Sequence, residues 1–373
     1  MKQVIKLFSN PKIFVYTVIW FMVLVVLGTL AQKDIGLYAS QQKYFSANIT
    51  WLGGIIPAPG GRITMVIMLV NLTFMLCKQN LWKIKKIGVL IMHIGALLLL
   101  IGGGLTAKFS SEGNMVIEEG AQSNHVDDYH DMELAVINTS NEALDEYTVF
   151  DQPILEKGNI LSHENLNFNI EIISYLRNCE PLKRTAPAGI QYRGMLKNFI
   201  LSELKPEKEN NRNRPGITYR ITNSGSSNDG IYGIFLEQSV TQTAVINNQN
   251  YEFIIRRKRT YLPFSIELLD FKKVLHPGTG IAKSYSSEVN LVENGIPRRV
   301  LIEMNEPLRH RGYTFFQSSF IEGPAGDTTV LAAVKNYGRL FPYISSIIMS
   351  IGLLLHLLIN LPKPLRKNLG DGE

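Results

Sequence analysis

A chain of 373 residues, 45% of them hydrophobic, has room for two or three ordinary domains, but its apolar residues gather into long uncharged runs that demand a membrane reading first. The net charge of +6 does not make a nucleic-acid binder, because no basic block reaches the density of such tails. The two cysteines form no CxxC, which excludes a dithiol redox motif and a covalent CxxCH haem attachment site.

Four runs, 13–32, 63–77, 87–107 and 340–361, contain no Asp, Glu, Lys or Arg and predict four transmembrane helices. The first exceeds the apolar core of a usual secretory signal and is closely followed by two further runs, so it reads as an uncleaved anchor. The loop 33–60 mixes aromatic residues with Gly and Pro, as expected of an interfacial segment. The second run is short for a span, and its helix is predicted to continue over 61–82, with Lys78 snorkelling and Trp82 at the interface. Asn71 within it is expected to bond to a neighbouring helix.

Basic residues cluster at one side of these runs. Lys2, Lys6 and Lys12 precede the first, Lys78, Lys83, Lys85 and Lys86 separate the second from the third, and Lys363, Arg366 and Lys367 follow the fourth. Only Asp371 and Glu373 oppose them, a positive-inside pattern that places both termini in the cytoplasm.

The third run, IGVLIMHIGALLLLIGGGLTA, carries one ionisable residue, His93. An intramembrane imidazole is costly unless it meets a partner, a cavity or a metal. Gly95 and Ala96, then Gly102, Gly103 and Gly104, give this helix a smooth surface suited to another helix or to a flat ligand.

Residues 108–338 read as an extracytoplasmic all-β domain, sandwich or barrel-like, with strands expected at 134–138, 170–175, 216–222, 251–258, 265–271, 299–304 and 313–318. Polar loops at 205–215 and 223–230 divide it into two packed lobes. The segment 339–373 then supplies the fourth helix and a short basic cytoplasmic tail, leaving 1–107 as the N-terminal membrane region.

The fourth run holds a second histidine, His356. His93 lies six residues into its run and His356 five before the end of its own, so both are expected roughly 8–9 Å inside the inner boundary at 1.5 Å per residue. Two imidazoles level on different helices can ligate one haem iron axially; a hydrogen-bonded structural role for His356 is the competing reading. His125, Asp127, Asp128, His130 and Asp131 admit a metal, although a solvated loop is the commoner meaning of such a cluster. His163, His276 and His310 carry no ligand spacing, and Cys179 reads as a small buried residue. There is no Walker loop, no GxGxxG after a strand and no GxSxG.

Taken together the motifs resemble the ResB (CcsB) family of System II cytochrome c biogenesis proteins. The likeness is carried by GTLAQ at 28–32, YFSA at 44–47, PAPGGR at 57–62 and the His-bearing third run. In the outer segment it is carried by LPFSIELLDF at 262–271, HPGTG at 276–280, YSSEV at 285–289 and NEPLRHRGYTFFQSSF at 305–320. The resemblance implies an integral protein of the bacterial cytoplasmic membrane that transiently binds haem b. With a CcsA-type partner it would bring haem across the membrane to the CxxCH cysteines of apocytochrome c, in company with a thioredoxin-like thiol reductase. His93 falls where the family supplies an axial histidine. The other transmembrane ligand and the Trp-rich haem loop belong to the CcsA portion, and this chain has only Trp20, Trp51 and Trp82. That implies the non-catalytic half of a holocytochrome c synthase, with no catalytic residue and no metal beyond haem iron. His356 matches no family ligand. Two other readings stand beside this one: a self-contained bis-histidine haem electron carrier using His93 and His356, and a membrane-anchored assembly scaffold whose histidines only pack.

Overall fold

Helix α1, Pro11–Ile35, starts where Asn10 accepts a hydrogen bond from the Lys12 amide with proline in the first turn. It stops at Gly36, whose φ of 82° lets its N–H reach the Gln32 carbonyl. The computed structural model describes residues 7–141, 144–225, 228–280, 282–324 and 326–361. Lys2, Lys6 and the basic tail from residue 362 lie outside the described residues.

Among the described residues three helices are long and apolar enough to cross a membrane: α1, the helical stretch Ile84–Phe109, and Phe341–Asn360. The second predicted span is shorter than the sequence suggests. Helix α2 is Gly61–Leu76, 16 residues, about 24 Å against the roughly 30 Å of a hydrocarbon layer. Its last carbonyl is taken by the Trp82 side chain, which turns back on it. The Trp82 indole donates to the Leu76 carbonyl at 2.9 Å, and Lys78 donates to the Ser9 carbonyl at 2.7 Å instead of snorkelling. Two 3-10 turns, Gln79–Trp82 and Ile84–Lys86, lead into α3, Ile87–Phe109. Helix α4 is Phe341–Asn360. Asn71 bonds across to the start of α1 as expected, through backbone, donating to the Phe8 and Asn10 carbonyls at 2.6 and 3.0 Å.

The chain divides into two compact units. The membrane unit comprises Met1–Ser111, Arg311–Tyr313 and Val334–Glu373; the β unit comprises Glu112–His310 and Thr314–Ala333. Within the membrane unit α2 packs on both α1 and α3, and α3 packs on α4. The loop between α1 and α2 folds back through a π-helical turn and the hairpin Ile49–Leu52 with Ile56–Pro59. It joins three of the sequence motifs: Gly28 faces the Phe45 ring, Gly61 lies on the Phe45 backbone, and Trp20 donates to the Pro59 carbonyl at 2.8 Å.

In the β unit two strands far longer than expected, Gln122–Asn138 and Gln249–Leu275, pair antiparallel and run through both lobes. The expected strands 251–258 and 265–271 are one strand. Its ladder jumps from Tyr261↔His125 to Ile266↔Ser123, and Pro263, which cannot donate to a ladder, sits in that irregularity. One half of the pair packs under a four-stranded sheet around Leu134, Phe168, Tyr219, Tyr251 and Phe253. The other half belongs to a curved sheet running from Ile296–Glu303 through Ala282–Glu293 and the two long strands to Ser111–Glu118, Thr328–Lys335, Tyr313–Ile321 and Leu308–His310. Its first and last strands are joined only by a turn around Glu303 and Glu306, which leaves the barrel nearly closed.

Candidate functional site

Helix α3 has two differently used faces. Gly88, Gly95 and Gly102 recur every seven residues, the spacing that keeps a stripe facing one antiparallel neighbour. A Cβ on Gly88 would meet the His356 amide nitrogen at 2.5 Å, and one on Gly95 the Met349 side chain at 2.5 Å. One on Gly102 would strike Phe341, so α4 lies directly on this stripe. Helix α4 answers with Ser345 and Gly352, also seven apart and buried. Gly103 and Gly104, by contrast, face open space.

This register decides what the two intramembrane histidines can do together. Gly88 is level with the His356 backbone, and His93 comes five residues later, about 7.5 Å further along the axis and turned about 140° from the seam. The expected equal depth is therefore not found, and the two imidazoles leave their helices in different directions. Their hydrogen bonds differ too. His93 Nδ1 lies 2.7 Å from the Val89 carbonyl; a carbonyl only accepts, so Nδ1 carries the proton and Nε2 keeps its lone pair for a metal. His356 Nδ1 accepts from the Asn360 amide at 3.1 Å, which puts the proton of a neutral ring on Nε2, the position a ligand needs bare. The donor chemistry of His93 fits an axial haem ligand, and that of His356 fits a helix-end hydrogen bond.

The acidic and His-rich cluster is not a loop. It lies in the strand Gln122–Asn138, where the ladder passes from Asp127↔Arg259 to Met132↔Arg257 and residues 128–131 form a bulge against that partner strand. Asp128 closes the bulge by accepting from the His130 and Asp131 amides at 2.7 and 2.9 Å. Asp127 pairs with Arg259 at 3.2 Å, and His130 Nδ1 meets the Asn210 amide at 3.0 Å. No group of three or more metal-binding side chains occurs among the described residues. Burial holds His125 below the usual imidazole value, helped by Arg259, and burial likewise lowers His130 and raises Asp131.

His310, set aside on spacing, is better placed than the sequence suggested. Its Nε2 lies 3.1 Å from a Glu293 carboxylate oxygen and its ring stands edge-on to Phe264 at 4.7 Å. Phe264 in turn lines a polar concavity of about 610 Å³ with Gln122, Asn124, Ser265 and Asn294. The signal for it lay in the adjoining LPFS and LRHRG motifs, which fold against each other. His163 accepts from the Asn165 amide, and His276 shapes a turn through its carbonyl. Cys77 and Cys179 are both free thiols.

The ResB-like family matches residues 83–140 and 232–339, segments that contain His93 and the LPFS and LRHRG motifs. Protein NrfI from Wolinella succinogenes is 24% identical over 312 residues, which cover 78% of this chain. The chain spans 29% of the length of that relative. The resemblance read from the motifs thus agrees with the comparison made on whole segments: over these two segments the chain is similar to the ResB-like family.

Proposed function

We propose that this protein is a haem-handling subunit of cytochrome c biogenesis. It binds haem b in the membrane through Nε2 of His93 and presents it on the extracytoplasmic side, where a CcsA-type partner attaches it to the CxxCH cysteines of apocytochrome c. A thioredoxin-like reductase keeps those cysteines reduced. The observation that carries this reading is the hydrogen bond from His93 Nδ1 to the Val89 carbonyl, which fixes the ring and leaves a bare nitrogen inside an apolar helix. The four lysines between α2 and α3 support a cytoplasmic position for the start of α3, and so for the end at which haem is taken up. The second axial ligand comes from the partner, since His356 is level with Gly88 rather than with His93 and its Nδ1 is engaged by Asn360.

The chain's own contribution is to bind and orient haem, which in this scheme is cargo; the thioether chemistry belongs to the partner. Co-expression with a CcsA-type partner, followed by purification and haem absorbance, tests the assignment. His93→Gly is expected to lose most of the haem and to regain part of it with added imidazole, which fits the space the side chain leaves. Undiminished haem together with undiminished holocytochrome would overturn the reading.

A further inference from the structure

The face of α3 that bears His93 continues into a groove. Counting around the helix from the Gly88 seam, His93 lies at about 140°, Leu100 at about 120° and Gly104 at about 160°, one stripe spaced by seven and four residues. Leu100, Gly104, Ala107 and Lys108 of α3 and Arg62, Met65, Val66 and Leu69 of α2 enclose a cavity of about 520 Å³. That volume suits a cofactor-sized ligand. The wall is apolar and flat where Gly104 offers no side chain, and a Cβ there would meet nothing within 4 Å.

At one end the groove is closed by two cations. Arg62 stands in the first turn of α2, and Lys108 in the last turn of α3. Both are exposed, and neither has an ion-pair partner among the described residues; Lys108 only rests beside the Phe109 ring at 5.4 Å. Lys108 completes the dipole of its own helix, but Arg62 sits at the positive end of α2, where a cation is unfavourable unless an anion comes to it. A flat apolar body with two carboxylates at one edge matches both halves of this cavity.

We infer that the groove between α2 and α3 is a second porphyrin station, one that grips the propionate edge of haem by Arg62 and Lys108 and holds no iron ligand. The inference rests on the haem reading of His93. It places a resting point about 10 Å along α3 from that histidine, seven residues at 1.5 Å, toward the opposite end of the helix. Haem leaving His93 would then travel along one helix face, released by its iron and caught by its carboxylates.

Metal-free protoporphyrin IX separates the two stations, because it has propionates but no iron for His93. The full-length protein in detergent micelles is titrated with the free diacid and with its dimethyl ester, read by porphyrin fluorescence. The diacid is expected to bind about tenfold more tightly, as two charge-assisted contacts at a partly exposed rim allow. Arg62→Gln with Lys108→Gln should erase that preference, Arg62→Lys with Lys108→Arg should keep it, and Gly104→Leu should weaken both ligands by filling the groove. His93→Ala should change none of these values, whereas it should abolish iron-porphyrin ligation; the two readings therefore fail separately. Equal binding of diacid and ester by the unaltered protein would overturn the inference without any variant. So would displacement of the porphyrin by phosphatidylglycerol but not phosphatidylcholine in nanodiscs, which would make the groove an anionic-lipid site.

Discussion

The two units stabilise their interiors by opposite means. The β unit fills its interior with large rings and branched chains: Tyr219, Tyr251, Phe168, Phe253 and Phe315 are all under 2% exposed. It also buries an ion pair, Arg256 with Glu133 at 2.7 Å. The membrane unit does the reverse, removing side chains until α3 and α4 touch by backbone and leaving the neighbouring seam between α2 and α3 open. Water drives the first kind of packing and is absent from the second, where close approach and van der Waals contact are what remain. The difference teaches where a ligand can go: a filled core excludes it, whereas a chain of glycines can close one helix face and free another.

The largest break in this comparison is expected at Glu133. Its side chain is 4% exposed, and it also accepts from the Arg259 amide at 3.3 Å. Glu133→Ala leaves the Arg256 guanidinium buried without its partner, which costs ~3–5 kcal/mol. All three tryptophans, Trp20, Trp51 and Trp82, belong to the membrane unit, so the two units can be followed separately. Thermal unfolding read by strand circular dichroism should move to much lower temperature, while the indole fluorescence transition stays in place. Joint movement of both would show that the units do not stabilise themselves independently.

The seams of α3 supply the next test. Gly88→Leu drives a branched side chain into the His356 backbone and is expected to cost ~1–3 kcal/mol or more, since backbone cannot yield as a side chain does. Gly103→Leu, whose Cβ meets nothing within 4 Å, should leave the fluorescence transition unchanged or raise it, because glycine is a poor helix former. A matching loss in both variants would mean that α3 has no free face.

How much of this was legible beforehand follows the same division. The uncharged runs announced α1, α3 and α4 because hydrocarbon tolerates no charge along a helix, and the turn-separated alternating stretches announced a β domain. The end of α2 was not legible, because it involves the Trp82 indole folding back onto the Leu76 carbonyl. Nor was the 27-residue strand, because Pro263 reads as a break until a partner strand absorbs it in a bulge. His93 stood out as the lone ionisable group in its run, but its tautomer came only from the Val89 contact. Gly102 and Gly104 are indistinguishable in sequence, and only the position of α4 separates a packing glycine from a cavity wall. The residues 125–131 were polar enough to pass for a loop, since the bulge is held by local contacts, Asp128 accepting from the His130 and Asp131 amides, that composition does not reveal.

A smaller effect tests whether that bulge is packed as it is built. His125 and His130 are both held below the ordinary imidazole value of 6.5 by burial, so the unfolded chain takes up their protons before the folded one does. Stability from these two residues is then complete above about pH 6.5 and is lost as pH falls below it. Asp131, raised by burial and by Asp128, acts in the opposite sense, but nearer the carboxylate range. The strand circular dichroism transition should therefore fall between pH 7.5 and 5.5. His125→Gln combined with His130→Gln should flatten the slope; an unchanged slope would move the pH sensitivity elsewhere in the unit.

The finest distinction concerns the two thiols, one in each unit. Cys77 is exposed at the end of α2, whereas Cys179 is buried with its pKa pushed up to about 11 by loss of solvent, and its sulfur sits where a Cβ on Gly216 would have to go. A thiol reacts through its thiolate, so burial slows Cys179 twice, by access and by ionisation. Maleimide at pH 8 should label the native chain once, at Cys77, and a second time only after unfolding, with no cost to stability in Cys77→Ser. Labelling of Cys179 at a rate comparable to Cys77 would mean that the strand pair Cys179–Lys183 and Phe199–Glu203 opens readily, and the β unit would then have, like the membrane unit, one seam left loose beside a tight one.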